Sequence, residues 1–382
     1  TILPKFKEKV QTIYIDPPYN TGSDEFIYKD KFQHSSWLTM LENRLRLVHD
    51  ILAQRGAIFI SIGDTTKSDV HITSSSRLVS LMNGVFREDN FVATFVRKSG
   101  IAPRQDIKHV ATAHDYIVCY GKSVKDLTFN QKPSSLEGYN QEDEYIKERG
   151  KYRLNKLDRG SIHYSVTLDY PITAPDGTEI WPGGDPSDKR WIWRWSKEKV
   201  DWGISNGFIV FKKDREGKWV VYFKEYELVD NECKPVQRTN PYDTFIMEAY
   251  NEIGNAEVES LFGKRLFEYP KPTNLIVHLL KIGSSSDSIV LDFFAGSGTT
   301  AHAVMKLNKE DGGKRKFILV EMADYFESVI IPRIKKVSYS FNWDNGKPRG
   351  ADGTGVFFKY YELEQYEEAL ANCKYEDGDL FT

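Results

Sequence analysis

Late in the chain, a buried-strand pattern runs into glycines and then into a helix: SIVLDFFAGSGTTAHAVMKLN, residues 288–308. Small residues at 296 and 298 let a backbone approach a ligand, and a helix starting at Thr299 offers free N–H groups at its N-terminus. The spacing Gly296, Gly298, Ala301 fits the GxGxxG/A fingerprint of dinucleotide sites. An acid, Glu321, ends the next strand, KFILVE, where a ribose diol would lie. By itself this motif leaves NAD, FAD and S-adenosylmethionine (SAM) open. Its position constrains the fold far more. Only 84 residues (382 − 298) follow Gly298, too few to complete a doubly wound sheet. The missing strands are therefore expected from the N-terminal half.

That half begins with IYIDPPYNTG, residues 13–22. Two consecutive prolines each fix φ near −65° and remove a backbone donor, so this turn is stiffer than a reversal of direction requires. It leaves Asp16 at a strand end, followed by a flat aromatic, Tyr19, and by Asn20, Thr21 and Gly22. VQTIYID (10–16), AIFISI (57–62), FVATFV (91–96) and HDYIVCYG (114–121) have strand patterns. Apolar residues at three- and four-residue spacing predict helices over 37–52 and around 76–83, the first ended by Arg55-Gly56. This alternation predicts an α/β fold with a parallel or mixed sheet covered by helices. Both loops then open at the carboxyl edge of one sheet, where such sheets bind ligands, with Asp16 and Tyr19 beside the glycine turn.

Between about 125 and 265 the texture changes to Tyr, Trp, Gly, Lys and Arg with short alternating strands, which predicts a separate β-rich insertion. RWIWRW (190–195) places Trp191, Trp193 and Trp195 on one face of an extended strand, and Arg190, Ile192 and Arg194 on the other. Core packing is the favoured role for the tryptophans. The α/β pattern returns after Phe267, with a helix over 273–283 and a short acidic helix, LEQYEEAL, over 363–370.

Length suits two or three domains. No apolar run reaches the ~18–20 residues of a membrane span, and TILPKFKEKV has no signal-peptide core. Three cysteines, widely separated, predict a reducing compartment without a disulfide framework, and eight histidines in no ligand spacing predict no metal. A net charge of −3 does not advertise nucleic-acid binding, although KERGKYRLNKLDRG (147–160) and FKKDREGKW (211–219) concentrate basic residues.

DPPY at a strand end together with a later FxGxG resembles the signature of amino-group DNA methyltransferases, in the order of their β class. The stretches DPPYNTGSDEFIYKDKF, WLTMLENRLRLVHDILAQRGAIFISIGD, RWIWRWSKEKV, YPKPTNLIVHLLKI and LDFFAGSGTTAHAVMKLNKEDGGKRKFILVE resemble the modification subunits of type III restriction–modification systems. The resemblance implies a Rossmann-like SAM-dependent methyltransferase sheet in circularly permuted motif order, with an inserted β-rich target-recognition domain. The expected divisions are a catalytic half (1–125), the target-recognition domain (126–265), a SAM-binding half (266–340) and a C-terminal extension (341–382). It implies methyl transfer from SAM to N6 of adenine in duplex DNA, with Asp16, Pro17, Pro18 and Tyr19 catalytic. Phe294, Ala295, Gly296, Gly298 and Thr299 line the SAM side, Glu321 holds the ribose, Asp292 supports the loop, and Lys271, Thr273 and Asn274 close the methionine end. Arg97, Lys98 and Arg194 are candidate phosphate contacts. A homodimer, a restriction nuclease partner and a cytoplasmic, nucleoid-associated setting follow from the resemblance alone. N4 of cytosine is the nearest chemical alternative. A solitary methyltransferase, an RNA enzyme and a catalytically inert DNA-specificity scaffold are the others.

Overall fold

The computed structural model describes residues 3–19, 34–64, 73–101 and 110–363, with 367, 370 and 371. Asn20, Thr21 and Gly22, and most of the 363–370 helix expected at the tail, lie outside the described residues. The chain divides into two compact units, residues 1–130 with 243–382, and residues 131–242.

The first unit is built on a seven-stranded sheet in the order Phe245–Ile246, Phe91–Lys98, His114–Gly121, Leu52–Ile62, Val10–Ile15, Ile289–Asp292, Lys316–Leu319. Its centre is drawn from both ends of the chain, as the late glycine motif requires. Val10–Ile15 pairs in parallel with Leu52–Ile62 on one side and with Ile289–Asp292 on the other. The register Thr12↔Val290 and Ile13↔Leu291 aligns the carboxyl ends of the two motif-bearing strands. His114–Gly121 runs antiparallel to its neighbours, so the sheet is mixed.

Central strands covered on both faces are apolar at successive positions rather than alternating, which explains IYI and AIFISI. Ile58, Ile60 and Ile62 pack on the helices His34–Ile51 (through Trp37, Leu41 and Leu45) and Ser74–Phe86 (through Leu78 and Met82). Phe59 points the other way, towards the helix Thr273–Gly283, where a Cβ on Gly283 would come within 2.8 Å of the Phe59 ring. The helix Thr299–Asp311 follows the glycine turn. Among the described residues, no helix is long and apolar enough to cross a membrane.

One boundary differs from the sequence expectation. The first long helix ends at Ile51, and the strand starts at Leu52 rather than Ala57. Its register to the first strand jumps from Val10↔Leu52 to Thr12↔Ala57. Gly56 is therefore no helix stop; a Cβ there would lie 2.8 Å from the Gln11 carbonyl oxygen, so glycine permits a close backbone approach.

The second unit has a three-stranded antiparallel sheet, with Trp219–Tyr226 between Ile209–Lys213 and Tyr152–Lys156, and a two-stranded ribbon of Asp158–Gly160 with Trp191–Trp193. Trp193 and Trp195 are buried in a core with Leu157, Val200, Phe208, Val221 and Tyr226, and Trp193 Nε1 donates to the Tyr170 carbonyl at 2.7 Å. Trp191 is half-buried over Gly183, whose φ of +70° and missing Cβ make room for the indole. This unit is narrower than the 126–265 expected. Residues 243–265 belong to the first unit, where Phe245–Ile246 extends the large sheet and Asn251–Phe262 forms a helix.

Candidate active site

A cleft opens at the carboxyl ends of the two motif strands, with about 730 Å³ of empty space including open solvent. The first strand delivers Asp16, Pro17, Pro18 and Tyr19 to it; the second delivers Asp292, Phe294, Ala295 and Gly296. Adjacent parallel strands in register make this convergence unavoidable.

Asp16 is anchored on one side only. Lys271 Nζ donates to its Oδ2 at 2.7 Å, while Oδ1 is buried and has no hydrogen-bond partner among the described residues. A buried carboxylate oxygen without a donor is costly unless something else supplies one. The Pro18 carbonyl accepts from Trp37 Nε1 at 2.7 Å, and Pro17, buried beside it, lines the cleft. The turn is thus held by ring stiffness and by an indole bond from the helix behind it.

The Tyr19 ring lies against Gly63, where a Cβ would stand 2.9 Å from two ring carbons. The Lys271 ammonium is 5.0 Å from the ring centroid. Burial, with the Asp16 charge adding to it, holds the Tyr19 phenol well above its usual pKa, so it stays neutral.

On the other side, Asp292 is buried, accepting from the Phe294 N–H at 3.1 Å and from Thr300 Oγ1 at 2.5 Å. Burial pushes its carboxyl up to about 7 against those two bonds, and the charges of Asp16 and Glu321 add to the rise. Gly296 and Gly298 have φ of +54° and +78°, a region that favours glycine. The Gly296 N–H donates to Glu321 Oε2 at 2.8 Å, and the Met322 and Ala323 N–H groups donate to Oε1 at 2.7 and 3.1 Å. Glu321 therefore ties the glycine turn to the next strand's end and still lines the cleft. Phe267 and Tyr325, edge to face at 5.0 Å, supply an aromatic wall.

Several sequence expectations change here. Lys271 does line the cleft, where it binds Asp16. Thr273 and Asn274 do not line it. The Thr273 hydroxyl and N–H donate to Glu257 at 2.6 and 3.0 Å, and Asn274 Nδ2 donates to the Glu248 carbonyl at 2.6 Å. Gly298 sits behind the cleft as the helix cap, while Thr299 faces the cleft and donates to the Lys271 carbonyl at 3.0 Å. Arg97 is no phosphate contact. It is fully buried, donating to the Ala249 carbonyl (2.6 Å), Asp115 (2.9 Å) and Asn251 (2.6 Å). Lys98 is half-buried, 5.4 Å from the Tyr250 ring. Arg194 is exposed in the second unit.

The sequence reading missed Trp37 and Gly63, and also Arg333. Arg333 is buried beneath the glycine turn, donating to Ser297 Oγ (2.9 Å), Thr299 Oγ1 (3.0 Å), Thr273 Oγ1 (3.4 Å) and His302 Nδ1 (3.3 Å), with Glu257 at 3.6 Å. Burial lowers its pKa to about 10 and holds His302 neutral. Nothing local in IPRIKK marks that arginine, because its partners come from three separate stretches of the chain.

The profile of a family described as DNA methylase matches residues 10–331. The Mod subunit of the type III restriction-modification enzyme StyLTI of Salmonella typhimurium is 32% identical over 346 residues, covering 82% of this chain and 49% of its own. The EcoPI Mod subunit of Escherichia phage P1 is 32% identical over 83% of this chain and 54% of its own. The type II methyltransferase M.KpnI of Klebsiella pneumoniae is 32% identical over 81% of this chain and 74% of its own. The chain thus spans about half the length of the two Mod subunits.

Proposed function

The chain belongs to the DNA methylase family, and from that premise we propose that it transfers a methyl group from SAM to N6 of adenine within a short duplex DNA sequence. The observation that carries this reading is the Asp16 carboxylate, fixed through Oδ2 by Lys271 while its buried Oδ1 has no donor among the described residues.

The cleft fits SAM. The carboxylates of Asp16 and Glu321 line it, which suits a sulfonium and an ammonium. The glycine turn admits close approach, and Phe267 and Tyr325 offer a wall for a purine. Glu321, held by N–H groups of the glycine turn and of its own strand end, lines the cleft where a ribose diol would lie. When bound, SAM supplies an electrophilic methyl group.

The chain's own residues do the rest. An aromatic amine is a poor nucleophile because its lone pair is delocalised into the ring. Asp16 Oδ1 and the Pro17 carbonyl accept its two hydrogens, drawing the nitrogen towards tetrahedral geometry and freeing the lone pair. The Trp37 bond to Pro18 keeps that acceptor pair preorganised, so no reorganisation is needed as positive charge develops on nitrogen. Tyr19 stacks on the extruded base, offsetting part of the few kcal/mol that flipping costs, with about 1–3 kcal/mol from stacking. The second unit reads the sequence. As the Salmonella and phage relatives are named Mod subunits of type III restriction-modification enzymes, we assign this chain the modification role beside a restriction subunit.

The test is to incubate the protein with methyl-labelled SAM and unmethylated genomic DNA, then to identify the labelled nucleoside beside an Asp16→Ala control. N6-methyladenine that vanishes in the variant is the expected result. Labelled N4-methylcytosine would move the reading to the other exocyclic amine, and no label despite SAM binding would overturn it.

A further inference from the structure

The second unit carries a feature that burial does not explain. The loop 161–168, which follows the ribbon strand Asp158–Gly160, exposes Ile162 at 99% and Val166 at 76% of their surfaces. Isolated exposed aliphatics are ordinary. These two sit on a loop that is internally fixed. The Ser161 hydroxyl donates to the His163 carbonyl at 2.7 Å, the Tyr164 hydroxyl donates to Asp169 at 2.6 Å, and a single 3-10 turn, Val166–Leu168, closes it. Lys189 also donates to Asp169, at 2.5 Å, with its ammonium 5.4 Å from the Tyr164 ring.

The ribbon beneath is cationic on one face. Ile192 pairs with Arg159, and the ladder continues at both ends, from Ser161 N to the Arg190 carbonyl (2.9 Å) and from Arg194 N to the Leu157 carbonyl (2.9 Å). Side chains alternate along a strand and directly opposed residues share a face. Arg159, Arg190 and Arg194 therefore lie on the face that also carries Ile192 and Leu157; the three arginines are exposed, and the two aliphatics are buried. Arg190 is paired with Asp188 at 2.8 Å. Arg159 and Arg194 form no ion pair among the described residues, and the Arg194 Nε–H bonds only the Lys156 carbonyl, at 3.2 Å.

We propose that this ribbon, through its exposed arginines and through Ile162 and Val166 on the loop that leaves its first strand, is the element through which the second unit enters a groove of duplex DNA. The inference rests on the methylase reading and goes beyond it by naming the contacting residues. A two-stranded ribbon fits the major groove of B-DNA, where arginine meets guanine edges or phosphates and an aliphatic meets a thymine methyl. A fixed loop loses little entropy on binding. Arg159 and Arg194 supply the charge, and the two aliphatics supply surface that water does not hydrate favourably.

The test uses the full chain and a fluorescein-labelled 30-base-pair duplex of mixed sequence, with binding read by anisotropy across a salt series. Arg159→Ala/Arg194→Ala should flatten the slope of log affinity against log salt by roughly 2. Ile162→Ser/Val166→Ser should weaken binding about fivefold or more with the slope unchanged, as loss of apolar contact requires. All four positions are exposed, so the melting transition and the near-ultraviolet circular dichroism of the tryptophan-rich second unit should match the parent and report an intact fold. If the parent binds the duplex and both variants bind it equally well, the ribbon is not the reading element, and its aliphatics serve a protein partner instead. If the parent itself binds no DNA, the methylase reading falls, and this inference with it.

Discussion

Asp16 shows how far a single residue can be read. Its place at a strand end and its two following prolines are visible in IYIDPPY; that Lys271 holds it from 255 residues away is not. Gly63 is the reverse case, an unremarked glycine whose importance is purely spatial. Gly63→Ala places a methyl 2.9 Å from the Tyr19 ring, so the ring must move off the position from which it stacks. Loss of part of a stacking interaction lowers kcat/KM for DNA by about tenfold, while the SAM dissociation constant stays put. Steady-state kinetics with DNA varied, alongside calorimetry with SAM, separates the two; unchanged DNA kinetics would remove Tyr19 from base contact. Asp292 makes a prediction about pH. Its carboxyl is raised to about 7 by burial, above the ordinary carboxylate value that it has in the unfolded chain. Between those values the folded state binds the extra proton, so stability falls as pH rises from about 4 to about 7 and levels off above. Asp292→Asn removes that proton. The gap in melting temperature between parent and variant should therefore shift in the variant's favour across this window, and a gap constant from pH 4 to 8 would show that Asp292 titrates normally.

Elements were legible where periodicity and packing agree. The helix Thr273–Gly283 spans the residues that its apolar spacing marks out, since both its burial and its ends are locally encoded. The strand at Leu52 was misread because Gly56 answers to a neighbouring backbone rather than to its own helix. Arg97 was misread because the partners that bury it, at 115, 249 and 251, belong to other elements. The same blindness hid Arg333, whose fork joins the glycine turn to the start of Thr273–Gly283 and to the Asn251–Phe262 helix. Removing a buried charge outright risks roughly 3–5 kcal/mol of stability, so the informative variant is Arg333→Lys. It keeps a cation but cannot bridge Ser297, Thr299 and Thr273 together. SAM affinity should fall about tenfold, a loss on the scale of one or two charge-assisted hydrogen bonds, with DNA affinity unchanged. A variant that melts earlier yet binds SAM as the parent does would reduce Arg333 to structural support.

At the scale of the whole chain, the motif order foretold that one sheet is built from both ends, and it is: Val10–Ile15 pairs in parallel with Ile289–Asp292, and Thr12 Oγ1 donates to the carbonyl of Gly283, at the end of the helix before that strand, at 2.6 Å. The limits of the second unit were not legible, because aromatic texture continues past Tyr242 while Phe245–Ile246, a strand of only two residues, already belongs to the large sheet. Every residue lining the cleft lies in the first unit, and residues 131–242, which are 112 residues (242 − 131 + 1), fold around their own core. Closing a chain loop costs free energy that grows only with the logarithm of its length, about 0.6 kcal/mol per doubling. Replacing 131–242 by a flexible Gly/Ser linker shortens the loop between the two motif strands by less than half, so loop entropy changes by under about 0.6 kcal/mol in the protein's favour. The shortened protein should therefore fold and bind SAM with an affinity within a few-fold of the parent. It should lose sequence-selective methylation and most of its affinity for duplex DNA. Calorimetry with SAM and anisotropy with the labelled duplex read the two separately. Retained DNA affinity would place the reading surface in the first unit. Loss of SAM binding would show that the sheet needs the insertion to hold its cleft.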